Sequence, residues 1–192
     1  MLRSDFKELC PVTLPYAGRQ KYMHTFDLSR PVMADGFEDY LAPVRDLCLA
    51  AGAVSGMAHM TVDEKVIAAG MSQRRPRPHV DGCFIPERNI WGHGGGWAHG
   101  CNDIPLGEFS RMPVIIASSA VGARAWRGEF EAQPKGDGDL SFLELPEGEV
   151  LLPNVGYLLS ADCVHESLIQ PTSIQRSFLR IALPVDFEFT TR

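Results

Sequence analysis

Apolar residues recur at Phe37, Tyr40, Leu41, Val44, Leu47, Cys48 and Ala51, the spacing of one helix face. The pattern predicts a helix over 36–51, with Asp35 as N-cap and Gly52 as its stop. Pro43 falls inside that span and should kink or split it. The stripe carries no chemistry, so the helix is expected to pack on a sheet. From about residue 57 short runs of Val, Ile, Leu and Phe alternate with Gly, Pro, Asn and Asp. They predict strands over 66–71, 77–84, 113–119, 122–130, 149–152, 156–160, 164–169 and 175–183. Many short strands after one amphipathic helix imply a mainly β (α+β) fold, a jelly-roll core buttressed by the helix. Residues 1–34 contain several prolines and read as an irregular arm with room for one short strand.

The expected organisation is one domain over 1–192. Residues 1–55 would form the arm and supporting helix, and 56–187 the β core. Two stretches read as loops. One is 86–111, in which Gly92–Gly100 carries five glycines in nine residues, a poor composition for helix or strand and a suitable one for a lid. The other is a surface turn at 133–139.

Composition narrows the class. The chain has 192 residues, 45% hydrophobic and 22% charged, the balance of a globular protein. The net charge of −6 argues against a non-specific nucleic-acid binder. No apolar run approaches the roughly 18–20 residues that span a bilayer. The start of the chain lacks the apolar stretch of a signal peptide, and a cytoplasmic location is expected. Cys10, Cys48, Cys83, Cys101 and Cys163 form no Cys-x-x-Cys pair and number an odd five, which favours reduced thiols over a zinc ribbon or disulfide framework.

The chemistry begins at His79-Val80-Asp81. Residues i and i+2 of a strand project to the same side, so an imidazole and a carboxylate stand side by side and can fill adjacent positions on a metal. Alone this tripeptide is a weak signal. The second half is the segment from His165 to Leu183. A turn centred between Thr172 and Ser173 would pair His165 with Arg180 in a hairpin. Arg176, Phe178, Arg180 and Ala182 share one face, and Ser177, Leu179, Ile181 and Leu183 the other, apolar one. Two arginines facing inward in a β core call for anionic partners. They stand roughly 13 Å apart along the strand, a span suited to a short dicarboxylate extending from a metal at His165.

With these residues in hand, the chain resembles the Fe(II)/2-oxoglutarate-dependent dioxygenase superfamily, whose core is a double-stranded β-helix. That superfamily shows His-x-Asp, a distal His and an Arg some ten to fifteen residues later. Here these are His79, Asp81 and His165, then Arg176 and Arg180 at eleven and fifteen residues past the histidine. The resemblance covers roughly residues 56–185. It implies Fe(II) on His79, Asp81 and His165, and 2-oxoglutarate held by Arg176 at its far carboxylate and by Arg180 nearer the iron. The implied reaction couples oxidative decarboxylation of 2-oxoglutarate by dioxygen to oxidation of a further substrate. Hydroxylation is implied over halogenation, which needs the carboxylate position vacant.

Two rivals carry different expectations. A cupin-like metalloenzyme would keep the histidines without needing the arginines. A non-catalytic β-sandwich binding module would leave His79 and His165 unrelated. Gly82, small beside Asp81, leaves room for substrate or makes a bulge. His93, His99, Trp91 and Trp97 are candidates for lid contacts. Arg74, Arg75 and Arg77 read as a solvated strand end with a lesser claim to an anion, and Arg124 and Trp126 have a weak claim on substrate. His24 and His59 read as structural.

Overall fold

The computed structural model describes residues 1–81, 84–85, 90–91, 112–135, 138–184 and 186–190. In chain order the strands are β1 (Leu2–Ser4), β2 (Phe6–Pro11), β3 (Gln20–Asp27), β4 (Met57–Ile67), β5 (Phe84–Ile85), β6 (Ile90–Trp91), β7 (Val114–Ser118), β8 (Ala123–Ala125), β9 (Gly128–Phe130), β10 (Glu149–Val150), β11 (Val155–Leu159), β12 (His165–Ser167) and β13 (Ile174–Ala182), with helix α1 (Leu41–Ala51) between β3 and β4. The protein is mainly β, and every strand pair is antiparallel. A six-stranded sheet runs β2-β11-β7-β13-β4-β3, a three-stranded sheet runs β10-β8-β12, and β1-β9 and β5-β6 form two short pairs. The β5-β6 pair falls partly within the span expected to be loop.

Three apolar clusters follow from strand alternation. The outer face of the large sheet presents Met60, Val62, Ile115, Ala117, Leu158, Leu179 and Ile181 to Tyr40, Val44, Leu47 and Cys48 of the helical segment. Its inner face presents Val114, Ile116, Tyr157, Leu159, Phe178 and Ala182, which meet Ala125 and Leu151 from the small-sheet side. Behind the small sheet, Val80, Trp126 and Val164 pack with Leu2 and Leu140. The arrangement is consistent with a β-sandwich buttressed on one side by α1.

The helix begins later than its apolar stripe. Residues 38–40 form a single 3-10 turn and α1 starts at Leu41, with Tyr40 rather than Asp35 at the N-cap. Pro43 therefore sits in the first turn, where its missing N–H has no intrahelical acceptor to lose. Gly52 closes the helix in the left-handed region, φ 79°, as its position predicted.

Two expectations are corrected. The segment before residue 35 is no irregular arm: it supplies β1, β2 and β3, and the last two are the edges of the large sheet. Nor do β12 and β13 form a hairpin. β12 pairs with β8, and β13 lies between β4 and β7, with Arg180 opposite Thr61 and Ile116. The intervening chain is tied to other partners: Leu168 N–H donates to Gly122 O at 3.0 Å and Gln170 N–H to Met71 O at 2.8 Å. These bonds carry residues 168–173 from one sheet to the other.

Candidate metal centre

His79 lies in no regular strand. It makes isolated bridges to His165 on one side and Asp139 on the other, which extend the small sheet by one residue each. The bridge to His165 is reciprocal: each backbone N–H donates to the other's carbonyl at 3.0 Å. Directly opposed residues share a face, so both imidazoles project into the gap between the sheets. Asp81 follows two residues on, while Val80 and Val164 are buried on the reverse side.

The two imidazole rings are 4.4 Å apart between centroids. His165 Nε2 lies 3.7 Å from Asp81 Oδ1. One ligand atom from each of His79, Asp81 and His165 falls within 4.8 Å of the others. The structure thus joins the three residues read from the sequence, and the rival in which the histidines are unrelated loses its premise.

The remaining ring atoms fix the tautomers. His79 Nδ1 is 2.6 Å from Arg77 O, and His165 Nδ1 is 3.0 Å from Cys163 O. A carbonyl only accepts, so both Nδ1 atoms carry the proton and both Nε2 lone pairs are left for a metal. Burial pushes the His79 imidazolium well below its ordinary pKa, with His165 and Arg75 adding to the effect. Burial also lowers His165, against the opposing pull of Asp81. Burial works against ionisation of Asp81, but Arg180, then His165 and His79, outweigh it and hold the carboxylate far below the usual range. Two neutral imidazoles and one carboxylate are the donor set of a facial triad.

Arg180 Nε donates to Asp81 Oδ2 at 2.6 Å. It reaches Asp81 across the gap between sheets rather than along a hairpin. One carboxylate oxygen is thereby held by Arg180, and Oδ1 is the one turned toward His165.

Arg176 is the other inward arginine. It is 1% exposed. Its Nε donates to Ser118 Oγ at 2.5 Å, and its buried Nη1 has no hydrogen-bond acceptor. Burial lowers its pKa to about 10, against the pull of Asp63. The guanidinium lies against Gly122, where a Cβ would come within 2.5 Å of Nη2. The adjoining cleft, lined by Ile116, Ser118, Gly122, Tyr157 and Phe178, measures about 10 Å³, room for roughly one water.

Other candidates fall elsewhere. Trp126 is buried behind the small sheet with Nε1 on Pro146 O, and Arg124 pairs with Glu166 at 3.2 Å, so neither faces the gap. His24 bonds Val32 O and His59 bonds Thr25 Oγ1, as expected of structural histidines. Gly82, His93, Trp97 and His99 lie outside the described residues, as do Cys83 and Cys101; Cys10, Cys48 and Cys163 are free thiols. Sequence reasoning missed Gly122, Ser118 and Asp63 around Arg176. None of them left a signal: the strand expected nearby was 66–71, whereas β4 spans Met57–Ile67 and includes Asp63. Among the described residues no helix is long and apolar enough to cross a membrane. No protein-family model, curated protein or solved structure matches the chain.

Proposed function

We propose that the protein is a mononuclear Fe(II)- and 2-oxoglutarate-dependent dioxygenase, a hydroxylase, on a double-stranded β-helix core. The observation that carries this reading is the convergence of two Nε2 lone pairs and one carboxylate oxygen in the gap between two sheets. The donor set fits a divalent iron ion with positions left for small ligands. The unpartnered Nη1 of Arg176 fits the far carboxylate of 2-oxoglutarate, because a buried guanidinium donor without an acceptor is costly and an anion relieves the cost. The cleft at Arg176 must widen to admit that carboxylate. A cupin-like enzyme working without 2-oxoglutarate leaves this arginine unexplained.

When bound, Fe(II) and 2-oxoglutarate supply the oxidising chemistry, in which dioxygen and the keto acid yield succinate, carbon dioxide and one oxygen atom for a substrate C–H bond. The chain's own residues do the positioning. His79 and His165 present fixed tautomers, locked by the Arg77 and Cys163 carbonyls. Asp81 would supply the negative charge, and Arg180 holds its second oxygen; by the resemblance, Arg180 would also be the residue that meets the iron-side carboxylate of the cosubstrate. Arg176 anchors the far end.

Anaerobic addition of Fe(II) and then 2-oxoglutarate tests the reading. A weak visible charge-transfer band that appears only with both, and that is lost in His165→Ala, is the expected result. Absence of the band with iron demonstrably bound would leave a metalloprotein without this cosubstrate.

A further inference from the structure

Successive inward residues of one strand are displaced by roughly 7 Å, so the gap between the sheets is ordered in rows. His165 and Ser167 belong to one wall; Arg180, Phe178 and Arg176 belong to the other. The first row is the ligand cluster with Arg180. The third is Arg176, with Lys65 opposite it on β4. The middle row holds Ser167, Phe178 and Asp63, and Arg74 spans it. The Arg74 backbone N–H donates to Ser167 Oγ at 3.2 Å. Its guanidinium reaches the other sheet, with Cζ 5.8 Å from the Phe178 ring and 5.9 Å from the Tyr22 ring.

Arg176 Cζ is also 5.8 Å from the Phe178 ring, so two guanidinium groups flank one side chain. The nearby carboxylates are already paired with cations or hydrogen-bonded, although Asp63 Oδ2 makes only an ion pair and accepts no hydrogen bond. Asp63 Oδ2 is 3.0 Å from Lys65 Nζ and its Oδ1 accepts from Gln20 at 2.6 Å, while Asp81 is held by Arg180. Among the described residues no acceptor meets the Arg74 guanidinium. Stacking on rings satisfies its charge in part but none of its five N–H donors. Arg75 adds positive charge beside both histidines. The middle row is therefore a half-buried cationic shelf one step from the metal, bordered on its open side by Tyr22, which is 39% exposed.

We propose that Arg74 binds the anionic group of the primary substrate, so that this site oxidises small organic acids (carboxylates, sulfonates or phosphate monoesters). The row spacing puts the oxidised carbon and the charge within roughly 7 Å of each other. This proposal rests on the dioxygenase reading above.

The test measures succinate formed from 2-oxoglutarate by the iron-loaded protein with matched probes. Small carboxylates, sulfonates and phosphate monoesters are each assayed beside their neutral amide or alcohol. Only the acids should raise turnover above the level without substrate. Arg74→Gln should raise the half-saturating concentration of an active acid about tenfold or more, and Arg74→Lys should restore part of it. The affinity of Arg74→Gln for 2-oxoglutarate, read anaerobically from the charge-transfer band, should stay within about twofold of wild type, since Arg74 is not the cosubstrate anchor. Equal stimulation by the neutral compounds, no stimulation by any acid, or an unchanged half-saturation in Arg74→Gln would overturn the proposal. So would a loss of 2-oxoglutarate affinity in that variant, which would make Arg74 an arm of the cosubstrate clamp. A wild type that binds iron but shows no band defeats the dioxygenase reading itself, and the two failures are told apart by that band.

Discussion

Replacing Gly122 by alanine is the sharpest probe of the anchor at Arg176. The new Cβ would lie 2.5 Å from Nη2 and closer still to Cζ and Nη1. Ordinary carbon contacts settle near 3.5–4.0 Å, so the guanidinium has to retreat by about 1 Å or more. There is little space for it to do so, because Arg176 is 1% exposed and its cleft is about 10 Å³. Gly122 is not in the left-handed backbone region, so alanine adds no backbone strain. Overpacking of this kind costs about 1–3 kcal/mol, and the flexible end of an arginine should keep the value toward the lower limit. The larger effect falls on 2-oxoglutarate. A charge-assisted contact worth about 1.5–3 kcal/mol is lost or distorted, which is roughly ten- to a hundred-fold in affinity. Anaerobic titration of 2-oxoglutarate into the Fe(II) protein reads this directly, while Fe(II) affinity should be unchanged because the ligands lie two rows away. In an Arg176→Ala background the Gly122→Ala change should add little, since the pair acts through one group. A Gly122→Ala protein that titrates like wild type, or that loses the same affinity again without Arg176, would refute the reasoning.

His79→Ala, Asp81→Ala and His165→Ala should each lower Fe(II) affinity by about tenfold or more with the fold retained, checked by metal titration and circular dichroism. Unfolding at a series of pH values should show the contribution of Glu64. Burial would raise its pKa, but the Arg19 side chain, the Arg19 and Ala17 N–H groups and the Tyr40 hydroxyl overcome this and lower it from 4.5 to about 2. The folded state thus binds the ionised form, so its contribution of about 3 kcal/mol is present above roughly pH 5 and lost as pH falls toward 2. Glu64→Gln should flatten that part of the acid limb, and an unchanged limb would count against the assignment. Leu47→Ala, in the layer under the large sheet, should cost about 2–5 kcal/mol in urea unfolding while leaving metal affinity as it was.

The parts of the site that were legible in the sequence are those that depend on local geometry. Alternation places His79 with Asp81, and Arg176 with Arg180, whatever strand each segment joins. The first inference held even though His79 forms single bridges and no strand. The face of β13 was legible too, since Leu179 and Ile181 reach the helix-side core and Phe178 the inner one. Pairing was not legible, because Leu168 and Gln170 are bound by Gly122 and Met71, far away in sequence. β4 went largely unread because Thr61, Asp63, Glu64 and Lys65 look like surface. In the fold Asp63 and Lys65 line the polar wall of the gap, and Glu64 binds Arg19 and Tyr40 on the far side. The edge strands β2 and β3 were hidden by flanking prolines and by half-exposed side chains that give a weak alternation. Gly122 carried no signal at all, since its importance lies wholly in what packs on it.

The reciprocal backbone bridge between His79 and His165 has a mechanical consequence. Because main chain and not side-chain contact sets the spacing of these two residues, the imidazole pair behaves as a rigid jaw of preset width. Asp81 is fastened differently, through the side chain of Arg180, and is the compliant member. Ions of different radius would then be accommodated mostly by movement of the carboxylate, with the two nitrogens nearly stationary. Crystal structures with Fe(II), Mn(II) and Zn(II) would display that division as a spread in the metal–oxygen geometry set against nearly constant positions of both imidazole rings.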